Sequence, residues 1–229
     1  LLFFVLIYSG IKIYEWYRDK NKNNEIAKKI KETVIVESNG KNKEEYLIDF
    51  DKLKEQNNEA IAWIKVNNTN IEYPVVKTKN NEFYLNHSFD KSENLGGWIF
   101  ADHKNKFNGT DKNIVIYGHN MKDNSMFGTM QNILNPEWYN NEENTNIILK
   151  TEGKNYIYKV FSIYRIENED YYIKTEFNND SEFEQFLNTL KARSIRNFNM
   201  DMLESDSILT LSTCDNNNKY RVVLHAKKI

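Results

Sequence analysis

The 229-residue chain is 40% hydrophobic and 14% aromatic, enough to fill a core, which excludes wholesale disorder. Its 31 basic and 33 acidic residues give a net charge of -2, which excludes the concentrated positive charge that binding to a phosphate backbone requires. A single cysteine excludes an internal disulfide and any multi-thiolate zinc site within one chain.

Residues 1–11 read LLFFVLIYSGI. A membrane span needs ~20 predominantly apolar residues, and this run is shorter. Trp16 and Tyr17 beside Glu15 and Arg18 suit the edge of a bilayer, and no small-residue cleavage pattern follows. Residues 1–18 are therefore expected to be a partial transmembrane anchor and its interface, where the bland readings are a buried strand or a signal-peptide remnant. Residues 19–58 read as an N-terminal helical segment. Ile26 and Ile30 are spaced for one face of an amphipathic helix, and residues 49–56 suggest a second, with Phe50 and Leu53 on one side and a stop near Asn57 and Asn58.

From residue 59 onward the pattern turns to strands, and residues 59–229 are expected to form one domain. Apolar and β-branched runs occur at 61–66, 71–76, 98–102, 113–117, 147–149, 156–163, 208–213 and 220–226. Pro74 demotes its run to an edge, a bulge or two short strands. Helices are predicted at 125–134, with Pro136 near its stop, and at 181–192. In the second, Ser181 and Glu184 have capping-box spacing, and Phe183, Phe186, Leu187 and Leu190 share one face. Many short strands with few intervening helices point to an all-β barrel or sandwich. No internal repeat is visible.

The candidate chemistry lies in three places. His119 follows the strand run NIVIY at a glycine-marked turn, where the bland reading is an ordinary loop histidine. Cys214 ends the run ILTLSTC. Alternation sets Thr210, Ser212 and Cys214 on one side and Leu209, Leu211 and Thr213 on the other. An isolated cysteine is more often a small buried hydrophobe, but here a polar stretch, DNNN, follows at once. A thiolate beside a cation is a good nucleophile, and an imidazole can exchange its proton. Arg221 opens the next strand. It stays protonated and can steady oxyanion charge, where the bland reading is an exposed strand arginine. His225 lies too deep along that strand to be the base. None of the four histidines forms an HExxH motif, so a metal site would need three of them to converge in space.

Taken in order, YGHNM (117–121), TLSTC (210–214) and YRVVLHAK (220–227) resemble the sortases. DFDKLKEQN, WIKVNNTNIEYPVV, NNEFYLNH and the long helical insertion before TLSTC resemble class B. The likeness covers nearly the whole chain after the first segment. It implies a sortase-type closed β-barrel with N-terminal helices and a helix inserted before the cysteine-bearing strand. It also implies a cysteine transpeptidase with Cys214 as nucleophile, His119 as acid and base, and Arg221 as electrostatic stabiliser. Positions matching the substrate groove are Asn81, Leu85, Tyr172, Ile173 and Ser212, with Thr213 and Asp215 flanking the cysteine. The implied partners are a surface protein's sorting signal, resembling LPxTG or NPxTN, and a peptidoglycan amine. No cofactor or metal is expected. The implied location is the cell membrane of a Gram-positive bacterium, single-pass, with the catalytic domain outside. Trp98, where relatives are expected to carry a smaller residue, departs from the pattern. A cysteine endopeptidase acting mainly by hydrolysis shares the first half of the chemistry. A noncatalytic surface-binding module would use the groove with a quiet thiol.

Overall fold

A computed structural model of the chain describes residues 2–37, 46–167, 169–214 and 219–229, with the backbone alone at 35–37, 46 and 214. Helix α1 (Leu2–Val34) leads through the short antiparallel pair β1 (Ile35–Glu37) and β2 (Tyr46–Ile48) to α2 (Phe50–Gln56). Asp49 starts α2 by accepting the Lys52 amide at 3.0 Å, which satisfies one of the donors a helix start leaves open. Of the apolar faces expected of both helices, Ile30, Phe50 and Leu53 are buried and Ile26 is half-buried against the core. Ile30 and Val34 of α1 and Leu53 of α2 join the main core.

Eight strands then close a barrel: β3 (Ala60–Val66), β4 (Glu72–Val76), β5 (Phe100–Ala101), β6 (Asn113–His119), β7 (Asn146–Thr151), β8 (Lys154–Glu167), β9 (Ile208–Cys214) and β10 (Tyr220–Lys228). Their order around the barrel is β10-β8-β7-β3-β4-β5-β6-β9, which meets the expected architecture. Most neighbours are antiparallel, but β4–β5 and β6–β9 are parallel. A parallel pair needs a crossover rather than a hairpin. The chain between β6 and β9 supplies one, and it includes α3 (Pro136–Tyr139), β7, β8 and α4 (Asp180–Arg193).

Strand alternation divides the apolar residues between two cores. Leu209 and Leu211 of β9, with Val222, Leu224 and Ala226 of β10, fill the barrel. Ile208 and Val223 face outward onto α4, whose Phe183, Phe186, Leu187 and Leu190 cover them together with Phe161 and Tyr164 of β8. β9 and β10 are thus sandwiched, and this explains why Thr210, Ser212 and His225 are also buried.

Several sequence expectations are corrected. No helix among the described residues is long and apolar enough to cross a membrane. α1 is one continuous helix across the expected boundary at residue 18, and its apolar run stops at Ile11, with Lys12, Glu15, Arg18, Asp19 and Lys20 following. That finding overturns the single-pass membrane location with an external catalytic domain. Of the readings offered for Pro74 the edge fails, since β4 pairs with both β3 and β5, whereas the bulge is met by the register shift between Ala60 and Ala62, opposite Val76 and Val75. Toward β5 the pairing is confined to Val76 and Phe100, so Pro74 forfeits no ladder bond there. Over 125–134 the helix is reduced to a 3-10 stretch at Gly128–Leu134, and Pro136 begins α3 instead of ending a helix. Asn179, not Ser181, caps α4 by accepting the Glu182 amide at 2.9 Å. Trp98 is a core residue with Nε1 donating to the Pro74 carbonyl at 3.0 Å.

Candidate active site

Three adjacent strands bring the three candidate catalytic residues to one level at one rim of the barrel. In the parallel β6–β9 ladder the final pair is His119 with Cys214. In the antiparallel β9–β10 ladder the last backbone pair is Ser212 with Val223. Continuing that register by two residues sets Arg221 level with Cys214. The ladder opens there because the Val222 amide donates to Thr213 Oγ1, at 2.9 Å, instead of to a backbone carbonyl. Arg221 is held from its other side by backbone pairing with Ile166 of β8.

The His119 ring is fixed from several directions. Nε2 lies 2.7 Å from the Leu85 carbonyl. A carbonyl only accepts, so Nε2 carries a hydrogen and donates it. The His119 carbonyl accepts the Met121 and Phe127 amides, which fold the following loop back under the residue. Gly97, at φ +54°, packs so closely that a Cβ there would stand 3.0 Å from His119 Cδ2 and 2.4 Å from the Tyr84 carbonyl. Glycine is required by the backbone conformation as well as by the space.

Gly97 is in turn clasped by α1. Asn23 donates to the Gly97 carbonyl at 2.9 Å and accepts from Ser88, and Asn94 donates to the Asp19 carbonyl at 2.8 Å. The Leu95 amide donates to the Asp19 carboxylate at 3.1 Å. Asp19, Asn23 and Asn94 are buried. Sequence reading passed over these residues. A run of polar side chains on an otherwise surface-like helix gives no signal until its partner loop is known.

Arg221 is half-buried. Among the described residues no acceptor meets its buried Nη1. A buried N–H without an acceptor costs on the order of 1–3 kcal/mol.

The expected groove residues distribute unevenly. Leu85 is half-buried and holds His119 through its carbonyl. Tyr172 is buried in the 3-10 turn Tyr171–Ile173, and its hydroxyl meets Ser212 Oγ at 2.9 Å, while Ile173 beside it is half-buried. Thr213 is buried and engaged with Val222. Asn81 spends both ends of its amide on neighbours, donating to Asp102 at 2.8 Å and accepting the His103 amide at 2.9 Å. Asp215 lies outside the described residues. Among the described residues no group of three His, Cys, Asp or Glu side chains is arranged to hold a metal ion.

His225 is wholly buried, and burial pushes its imidazole down to about 3, so it is neutral at physiological pH. This agrees with its exclusion as the base. Nε2 lies 2.8 Å from the Tyr164 hydroxyl and Nδ1 2.8 Å from Thr210 Oγ1.

A family model described as a sortase domain matches residues 64–229. The chain belongs to the sortase family. Sortase B of Listeria monocytogenes is 33% identical over a 233-residue alignment, covering 98% of this chain and 92% of that protein. Sortase B of Staphylococcus aureus is also 33% identical, covering 100% and 94%. Among solved structures, sortase B from Bacillus anthracis superposes with a TM-score of 0.81 at 30% identity, over 91% of this chain and 96% of that one. Clostridium perfringens sortase B gives 0.74 at 37% identity, over 79% and 100%. The assignment extends to class B. This class B sortase is a cysteine transpeptidase acting on surface proteins that carry a sorting signal, with peptidoglycan as the other partner.

Proposed function

We propose that Cys214 is the nucleophile of this transpeptidase, His119 its acid and base, and Arg221 its oxyanion stabiliser. The observation that supports this reading is the shared level of the three residues on β6, β9 and β10. The Cys214 thiolate attacks the carbonyl carbon of the scissile amide in a motif of the LPxTG or NPxTN kind. A C–S bond forms, and the carbonyl electrons move onto oxygen. Arg221 carries guanidinium donors toward that oxyanion and remains charged throughout. The C–N bond breaks as imidazolium His119 gives its proton to the departing amine. With Nε2 committed to Leu85, Nδ1 is the ring atom that exchanges the proton. An amine of peptidoglycan then attacks the thioacyl carbonyl, His119 accepts its proton, and a new amide leaves with the thiolate restored.

The groove is assigned to Leu85, Tyr172, Ile173 and Ser212, with Thr213, Asp215 and Asn81 around it. Leu85 and Ile173 offer half-buried apolar surface, whereas Asn81 and Thr213 support the walls through bonds already made. Sorting peptides of both kinds, an amine acceptor and mass spectrometry of the thioacyl adduct test the reading. Wild type is expected to form adduct and ligated product. Cys214→Ala is expected to form neither, and undiminished ligation by that variant overturns the assignment.

A further inference from the structure

A chain of buried hydrogen bonds runs behind the site and has no part in the chemistry above. Thr210 Oγ1 donates to Asn113 Oδ1 at 2.7 Å. A hydroxyl has one hydrogen. The 2.8 Å contact between Thr210 Oγ1 and His225 Nδ1 is therefore donated by the imidazole. Nε2 of the neutral ring then accepts from the Tyr164 hydroxyl at 2.8 Å, and Tyr164 accepts from Tyr171 at 3.3 Å. At the other end, Asn113 Nδ2 donates to the carbonyls of Lys174 at 2.9 Å and Tyr172 at 3.4 Å. Asn113, Thr210 and His225 lie on three neighbouring strands, β6, β9 and β10, and all are buried. Both ends of the chain terminate on one short segment, residues 171–174: the Tyr171 hydroxyl at one end, the Tyr172 and Lys174 carbonyls at the other.

That piece cannot hold itself. It is a single 3-10 turn whose own backbone bond runs from the Ile173 amide to the Asp170 carbonyl at 3.2 Å. One such turn has little independent stability. The Asn113 amide, the Tyr172–Ser212 bond and edge-on packing of Tyr172 against Tyr164, with ring centres 6.4 Å apart, hold it on the barrel side, while α4 adds the Lys174–Glu182 ion pair and Arg193 over the Tyr171 ring.

We propose that Asn113, Thr210, His225 and Tyr164 are positioning residues that set how tightly the sorting signal is bound, by fixing residues 171–174 beside the cysteine-bearing strand. This rests on the assignment of Tyr172 and Ile173 to the groove. A wall held in its bound position spares the peptide the cost of ordering it. The network acts on binding and leaves the reacting atoms alone, because among the described residues its hydrogen bonds reach neither His119 nor Arg221.

The test uses the full chain. Asn113→Asp keeps the acceptor for Thr210 but turns the two donors toward Tyr172 and Lys174 into a charged oxygen. Thr210→Val deletes the central hydroxyl, Thr210→Ser keeps it, and Tyr164→Phe removes one oxygen. Steady-state ligation is measured for each against Ile173→Ala. Peptide affinity is measured by calorimetry in the Cys214→Ala background. Asn113→Asp, Thr210→Val and Tyr164→Phe are expected to raise KM roughly tenfold, with kcat within about twofold and Kd weakened in parallel. Thr210→Ser is expected to restore KM. Should Thr210→Val fail to fold, Tyr164→Phe and Asn113→Asp carry the same comparison. An unchanged KM in them, with Ile173→Ala raising it, overturns the network's role. A KM unmoved by Ile173→Ala overturns the groove assignment beneath it.

Discussion

His119 and Cys214 form the last rung of the parallel ladder between β6 and β9. The proposed acid–base group and nucleophile are therefore aligned by main-chain hydrogen bonds. Arg221 joins them from β10, where the Thr213 hydroxyl ends the regular pairing. In the proposed mechanism all three residues are carried by paired strands, an arrangement that needs little reorganisation during the reaction.

Truncating the guanidinium tests the electrostatic part of the mechanism. Arg221→Ala is expected to lower kcat roughly 10²-fold, the scale of one oxyanion donor. The melting temperature should hold or rise, since a buried N–H without a described acceptor is removed. Steady-state ligation beside a thermal melt reads both, and a kcat within twofold of wild type would eliminate the role.

Gly97 is the point where backbone strain and catalysis meet. In Gly97→Ala the added methyl would stand 2.4 Å from the Tyr84 carbonyl and 2.8 Å from that of Leu85. Those carbonyls must move, and the Leu85 carbonyl is the one that holds His119 Nε2. A loss of about 1–3 kcal/mol of stability is expected, together with a fall in kcat larger than any change in KM. Denaturant unfolding and ligation kinetics would show it. A fully active variant would mean that the Leu85 contact does not orient the imidazole.

The clasp from α1 should be measurable in the same way. Asn23→Ala removes the donor to Gly97 and the acceptor for Ser88 from a buried site. The expected loss is about 2 kcal/mol, read from the urea midpoint. A change below about 0.5 kcal/mol, within the range of ordinary surface substitutions, would show that α1 is not coupled to the loop.

Acid sensitivity follows from His225. The unfolded chain takes up a proton there near the ordinary 6.5, and the folded chain only at about 3. Between those values the unfolded state holds the extra proton. Stability is complete above pH 6.5 and declines as pH falls toward 3. Each unit within that window costs about 1.4 kcal/mol. His225→Gln, measured against wild type at pH 6.5 and 4.5, is expected to lose about 2 kcal/mol less over that interval. Equal losses in the two proteins would remove His225 as the cause.

The three catalytic candidates could be read from the chain because each belongs to a short motif whose chemistry needs that residue type. The strands bearing them have clear alternation. Pairing between β6 and β9 could not be read, since it joins residues far apart in sequence and depends on the whole barrel. The 125–134 segment has helical spacing at Met126, Met130, Ile133 and Leu134, yet Met126 adopts φ +50°. Gly128 also packs so tightly that a Cβ would stand 2.2 Å from the Met121 carbonyl. Tertiary contact thus overrides the local pattern. Asn113, Thr210 and His225 were polar residues in apolar strands, and that mismatch was the available sign of the buried network. Its meaning required knowing that α4 covers the outer faces of β9 and β10.

β10 runs away from the reactive rim, from Arg221 to Lys228, a rise of roughly 23 Å at the usual strand spacing. A surface tether attached beyond Lys228 would hold the barrel by its far end and leave the rim with His119 and Cys214 facing outward. Immobilised in that orientation, the enzyme should accept bulky protein cargo as readily as it does when free in solution.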